Sequence, residues 1–134
     1  MRVVGDTKPT TGRILIVDDD EAATHIFSQL LKLEGYEVQT AGNAEMGLFE
    51  VDLNRPDAII LDFHMPLVDG LEFLRRLRSH AEHCATPVAI VTGDFFIDDD
   101  IASELRALGA HVTYKPLSLD DLLGLTRSLL RVIT

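Results

Sequence analysis

One cysteine, Cys84, stands in the 134 residues, which excludes an internal disulfide framework and fits a reducing compartment. No apolar run approaches the roughly 20 residues that a membrane-spanning helix requires. Basic residues are scarce. Lys and Arg number 12 against 22 Asp and Glu, a formal net charge of −10 with His neutral. That sign argues against direct nucleic-acid binding, which depends on clustered cations facing phosphates. It suits a metal cation, or a partner that presents a basic face. Also missing are an internal repeat, a low-complexity segment and the G-x-x-x-x-G-K loop of many nucleotide enzymes. No serine or cysteine nucleophile with a His partner is evident. Residues 1–12 hold Arg2 and Lys8 but no long apolar stretch, so they read as a short flexible tail rather than a secretory signal. A soluble cytoplasmic protein is expected.

What is present is a globular balance, 46% hydrophobic and 25% charged, in a length that suits one domain over 13–134. Five short apolar runs, at 14–17, 36–40, 58–61, 88–91 and 111–114, alternate with stretches of helical period. Ala23, Ile26, Phe27 and Leu30 form one stripe, and Leu71, Leu74 and Leu77 another. Ile101, Leu105 and Leu108 mark a fourth helix; Leu122, Leu125, Leu129 and Val132 mark a fifth. The second helix, from 44 to about 51, is the least defined, with Gly47 in its middle. Gly35 and Gly109 sit where helix ends want a residue that tolerates positive φ. Asp20 and Asn43 can cap the first two helices, Asp98–Asp100 suits the start of the fourth, and Ser118 with Asp121 resembles a capping box for the last.

Alternating strand and helix implies a parallel sheet covered on both faces. Runs one, three and four are almost wholly aliphatic, as central strands require. Runs two and five carry Glu37, Gln39, His111 and Thr113 and belong at the edges. The pattern predicts a flavodoxin-like (βα)5 doubly wound fold with strand order 2-1-3-4-5, whose ligands bind beyond the carboxyl ends of the strands.

Those ends carry chemistry. Asp18, Asp19 and Asp20 follow the first run, Asp62 the third, Thr92 the fourth and Lys115 the fifth. Crowded carboxylates repel one another unless a cation neutralises them. Oxygen-only ligands suit Mg²⁺, or Mn²⁺, better than zinc. An aspartate beside such a cation can attack a phosphoryl group, with the Lys115 ammonium and the Thr92 hydroxyl as partners for the transferring oxygens.

The segments ILIVDDD, DAIILDFHMPLVDG, AIVTGD and YKPLSLDDLL, in that order, resemble the strand-end signatures of response-regulator receiver domains. The resemblance covers Arg13 to the C-terminus. It implies that Asp18 and Asp19 hold the metal together with Asp62 and the backbone carbonyl of His64, and that Asp62 is the phosphoacceptor. It implies further that Thr92 and Lys115 engage the phosphoryl group, and that Pro116 matches a proline which commonly follows a cis peptide bond. The implied partners are a histidine kinase or histidine phosphotransfer protein and a downstream protein target. The implied output surface is the α4–β5–α5 face, about 98–130, through which the chain dimerises or binds that target. Such a protein assists its own phosphorylation and dephosphorylation without being a turnover enzyme. With the chain ending soon after the fifth helix, no output domain is expected.

Two positions depart from the family pattern. Where the family often carries Tyr or Phe three residues before the lysine, this chain has Val112, with Tyr114 as a displaced substitute on the same strand face. His64, two residues after Asp62, is expected with Asp94 to tune the lifetime of the phosphate. Asp18-x-Asp20 also fits the spacing of haloacid-dehalogenase-type phosphatases, but that reading lacks a further acidic motif and leaves Asp62 without a purpose. A receiver turned constitutive docking module is the other alternative. His80, His83 and Cys84 read as a solvated loop, being too few for a closed structural zinc site, with Cys84 packed or idle. Arg75, Arg76 and Arg78 read as the wet face of the third helix.

Overall fold

Strands form where the aliphatic runs predict them. The computed structural model describes residues 12–93 and 97–131; the tail through residue 11, Asp94 and Val132 lie outside the described residues. The strands are β1 (Arg13–Val17), β2 (Glu37–Ala41), β3 (Ala58–Asp62), β4 (Val88–Thr92) and β5 (Ala110–Tyr114). They make one parallel sheet in the order 2-1-3-4-5. β3 and β4 are buried along their whole length, as strands covered on both faces must be, whereas β2 and β5 are partly open.

The helices are α1 (Glu21–Leu33), α2 (Ala44–Asn54), α3 (Gly70–Arg78), α4 (Asp99–Ala107) and α5 (Leu119–Arg131), with a 3₁₀ turn at Ala81–His83. Period-2 alternation sends successive strand residues to opposite layers. Leu15, Val17, Leu61 and Ile90 face α2, α3 and α4 through Val51, Phe73, Leu74 and Leu105. Ile14, Ile16, Ile60 and Val91 face α1 and α5 through Leu31, Leu122 and Leu129.

The expected caps form. Asp20 accepts the Ala23 N–H at 3.1 Å, Asn43 the Met46 N–H at 2.8 Å and Asp98 the Asp100 N–H at 2.7 Å. Ser118 and Asp121 satisfy each other reciprocally, at 3.0 and 3.2 Å. Asp69 also caps α3, accepting the Glu72 N–H at 3.0 Å. Gly35 and Gly109 adopt φ of 99° and 85°.

Three expectations need correction. α2 runs to Asn54 rather than to about residue 51, and it stops at Arg55, which takes the left-handed conformation (φ 45°) without being glycine. Arg78 is not on a wet face. Its half-buried guanidinium donates to the Leu108 carbonyl at 2.7 Å and the His83 carbonyl at 2.8 Å, tying α3 to the end of α4 and to the 3₁₀ turn. Burial holds that guanidinium below its usual range. His83 is not in a solvated loop: it is buried, with Nε2 3.2 Å from Asp52 Oδ1. Cys84 is exposed. Arg75 and Arg76 do lie in solvent, paired with Glu104 and Glu72.

Gly47 lets α2 lie close on the sheet. A Cβ there would stand 2.9 Å from Phe73 Cε2 and 3.0 Å from Val17 Cγ2, and both neighbours are fully buried. Alanine would favour the helix by about 1 kcal/mol, yet neither a core ring nor a β-branched side chain can yield cheaply. Gly47→Ala is therefore expected to destabilise the fold by about 1–2 kcal/mol net, read as a lower urea midpoint. A midpoint at or above that of the parent chain would show that the layer can open.

Candidate functional site

Each central strand ends on, or one residue before, a residue of the site. Asp62 is the last residue of β3 and is 6% exposed. Asp18 follows β1; its N–H donates to the Ala41 carbonyl and its Oδ1 accepts the Asp20 N–H, both at 3.0 Å. One carboxylate oxygen from each of Asp18, Asp19 and Asp62 can be chosen so that all three lie within 4.8 Å of one another. Lys115, just past β5, places Nζ 2.9 Å from Asp62 Oδ1. Its backbone N–H donates to the carbonyl of Thr92 at 2.8 Å, and Thr92, the last residue of β4, is fully buried. The Lys115–Pro116 peptide is cis.

The electrostatics are strained. Burial pushes the Asp62 carboxyl above the ordinary range; the Lys115 ammonium draws it back and the charge on Asp19 pushes it further up. Burial likewise raises Asp18, which the Asp20 N–H lowers and Asp62 raises. Burial alone would lower Lys115, but the bond to Asp62 and the surrounding carboxylates outweigh it and the ammonium is held above its usual range. One cation thus faces several anions, an imbalance that a divalent ion would offset. The donors are carboxylate oxygens, with no thiolate or imidazole among the three, so the group is compatible with a hard cation.

Other expected residues border this cluster or lie apart from it. The His64 side chain is exposed, its ring edge-on to Phe63 with centroids 4.8 Å apart. Val112 is half-buried and packs on the α2–α3–α4 side of the core. Tyr114, in register with Thr92, is 38% exposed. Asp94 lies outside the described residues.

Some features escaped the sequence reading. Gly70 returns the loop after Asp62 onto the strand: its N–H donates to the Phe63 carbonyl at 2.9 Å, and a Cβ would stand 3.0 Å from Phe63 Cα. Leu67 has φ 71° and is wholly exposed, with the Val68 N–H donating to the Pro66 carbonyl at 2.8 Å. That is a tight three-residue turn at a position where leucine gives no sign of it. A cavity of about 280 Å³ opens beside Asp18, Asp62 and Lys115, with Phe27, Val91 and Leu117 in its walls. In the sequence, Phe27 reads only as a member of a helical stripe.

The family model described as "Response regulator receiver domain" matches residues 14–127. Among curated proteins, the chain is 36% identical over 126 residues to the transcriptional regulatory protein PrrA of Mycobacterium tuberculosis, covering 94% of this chain and 53% of that protein. It is 38% identical over 119 residues to the response regulator MprA of Mycobacterium sp. (strain KMS), covering 89% and 50%. The chain spans about half the length of the curated relatives it matches. Among solved structures, the chemotaxis response regulator CheY4 of Vibrio cholerae is similar with a TM-score of 0.81 at 30% identity, covering 90% of this chain and 99% of that one. A CheY-like receiver domain protein from Methanospirillum hungatei gives 0.80 at 30% identity, covering 90% and 94%.

The raised carboxyls carry a sign for stability. A folded-state pKa above the unfolded value makes the group's contribution full below about pH 4 and lost as pH rises through the folded value. At neutral pH without metal, Asp18 and Asp62 therefore work against folding. Asp18→Asn keeps an acceptor for the Asp20 N–H and removes one charge. Calorimetry in chelator at pH 7 is expected to show Tm raised by about 2–4 °C, with the gain fading towards pH 4. A lowered Tm at pH 7 would contradict this account.

Proposed function

We propose that this chain, which belongs to the response regulator receiver domain family, is the phosphoacceptor of a two-component or phosphorelay system and is phosphorylated on Asp62. The observation that carries the reading is the buried Asp62 carboxylate, set 2.9 Å from the Lys115 ammonium inside a three-carboxylate cluster. Asp18, Asp19, Asp62 and the His64 backbone carbonyl would hold Mg²⁺, with Mn²⁺ as the alternative. When bound, that ion supplies positive charge against the phosphoryl oxygens.

An Asp62 oxygen attacks phosphorus, the bond from phosphorus to the donor's histidine nitrogen breaks, and the nitrogen keeps the electron pair. The acyl phosphate that results is later cleaved by water, returning the carboxylate and inorganic phosphate. Lys115 exchanges its partner from the carboxylate to a phosphoryl oxygen, and the Thr92 hydroxyl donates to another. Thr92 and Lys115 are already joined through the backbone, so the two respond together. The new dianionic charge biases a two-state equilibrium read on the α4–β5–α5 face. Val112 packs into the core, so the aromatic reporter on that face is Tyr114. His64, exposed next to the acceptor, sets access of water to the acyl phosphate together with Asp94.

The phosphodonor is a histidine kinase or histidine phosphotransfer protein, and the output is a protein contact, with a second copy of the chain or with a downstream target. The formal charge of −10 favours protein over nucleic acid as the direct partner of this domain. The curated relatives extend about as far again beyond the matched region, so the reading concerns the receiver itself. Among the described residues no helix is long and apolar enough to cross a membrane; the location proposed is the cytoplasm. The cycle is self-labelling followed by hydrolysis, without turnover of external phosphoesters.

Incubation with Mg²⁺ and either acetyl phosphate or a phosphorylated histidine phosphotransfer protein tests this by intact mass. One phosphoryl group should be gained, and it should be lost in Asp62→Asn and in chelator. Because burial raises Asp18 and Asp62, and protons compete with metal for them, Mg²⁺ affinity should fall on acidification at a higher pH than for ordinary aspartates. No label from either donor, together with no Mg²⁺ binding, would turn the reading to a docking module. In the labelled protein, His64→Ala should change the decay rate severalfold. Tyr114→Ala should leave that rate alone and weaken phosphorylation-dependent self-association; an unmoved decay rate in His64→Ala removes the role of His64, and an unmoved dimer in Tyr114→Ala removes that of Tyr114.

A further inference from the structure

We propose a second cation site, for Zn²⁺ or a similar borderline divalent ion, formed by His83, Asp52 and Glu82 where α2 meets the 3₁₀ turn. His83 Nε2 stands 3.2 Å from Asp52 Oδ1 and 3.6 Å from Glu82 Oε1, and one ligand atom from each of the three residues can be chosen so that all lie within 4.8 Å of one another. Zinc bonds of about 2.0–2.2 Å in a tetrahedron separate neighbouring donors by roughly 3.3–3.6 Å. Both histidine–carboxylate spacings match that edge. The imidazole nitrogen is thus already near ligand separation from both carboxylates before any ion is added.

The surroundings favour a ligand over a chance cluster. His83 is 5% exposed, so an imidazole is held almost out of water facing two anionic side chains that are themselves exposed. A cavity of about 180 Å³ adjoins it, floored by Leu48, Val51 and Leu77 and rimmed by Asp52, Arg76 and His80; Glu82 also faces the Arg55 guanidinium at 3.9 Å, a partner that an ion would displace. His80 is exposed, its ring centroid 6.2 Å from that of His83, and a side-chain rotation would let it approach as a fourth donor. An imidazole among carboxylates selects zinc, copper or nickel over Mg²⁺, so this site and the Asp18–Asp19–Asp62 cluster sort ions by chemistry. The sequence shows His80, Glu82 and His83 in one short segment but gives no sign of Asp52, which arrives from α2, about thirty residues earlier. A bound ion would staple α2 to the connection between α3 and β4.

The same geometry also serves a protonated imidazole between two carboxylates, and titration separates the two. Zn²⁺ is added to the full chain in excess Mg²⁺, which keeps the acidic cluster occupied, with heat and Tm followed. One Zn²⁺ per chain and a raised Tm are expected. Loss of a mere outer-sphere partner costs metal affinity about 10–100-fold, so Asp52→Asn and His83→Gln should each weaken binding at least tenfold and abolish the Tm rise. Asp52 is exposed, so its substitution leaves a folded protein even if His83→Gln does not. No Zn²⁺ uptake, or uptake that Asp52→Asn and Glu82→Gln leave untouched, would overturn the proposal and assign any remaining heat to the acidic cluster.

Discussion

Two like charges, one buried and one half-buried, set the terms for this molecule. Carboxylate oxygens of Asp18 and Asp62 within 4.8 Å of one another repel by about 3 kcal/mol at an effective dielectric near 20, before water relaxes the field. Burial raises both carboxyls further from their ordinary state. Lys115 counters one charge and leaves the remainder for an ion or a phosphoryl group to use. A fold whose whole stability is about 5–15 kcal/mol tolerates such a cluster only because the rest of the domain is conventionally well made. β3 and β4 are sealed on both faces, and all five helices begin on an acidic, hydroxyl or amide cap.

The layered core serves the site by fixing strand ends. Parallel register aligns Val17 with Leu61, and Asp62 with Val91, so Asp18 and Asp62 emerge side by side without any loop having to bring them together. The Lys115 N–H on the Thr92 carbonyl does the same at the other side of the sheet. Function sits where the strands stop, and the helices hold the strands in register.

Much of this was legible in the sequence, for a physical reason. Aliphatic runs and helical stripes report burial directly, and Asp, Thr and Lys placed after such runs are out of character for a core. What stayed hidden depends on partners distant in the chain. Arg78 looked like one of three surface cations, yet its targets are backbone carbonyls of Leu108 and His83. His83 looked like part of a wet loop until Asp52 and the cavity beneath it came into view. Nothing local marks the end of α2, because Arg55 terminates it in a conformation usually left to glycine. Leu67, strained and fully exposed, follows no local rule at all.

The approach of α2 to the sheet at Gly47 reaches further than packing. Val17, one of the two side chains against which that glycine rests, is the residue immediately before Asp18. Helix and carboxylate are therefore positioned from a common datum, and α2 cannot slide or lift without changing the seat of Val17. The missing methyl sets a machining tolerance: the acidic cluster is aligned from beneath, by contact between a bare backbone and a core side chain, as well as from above by whatever charge it holds.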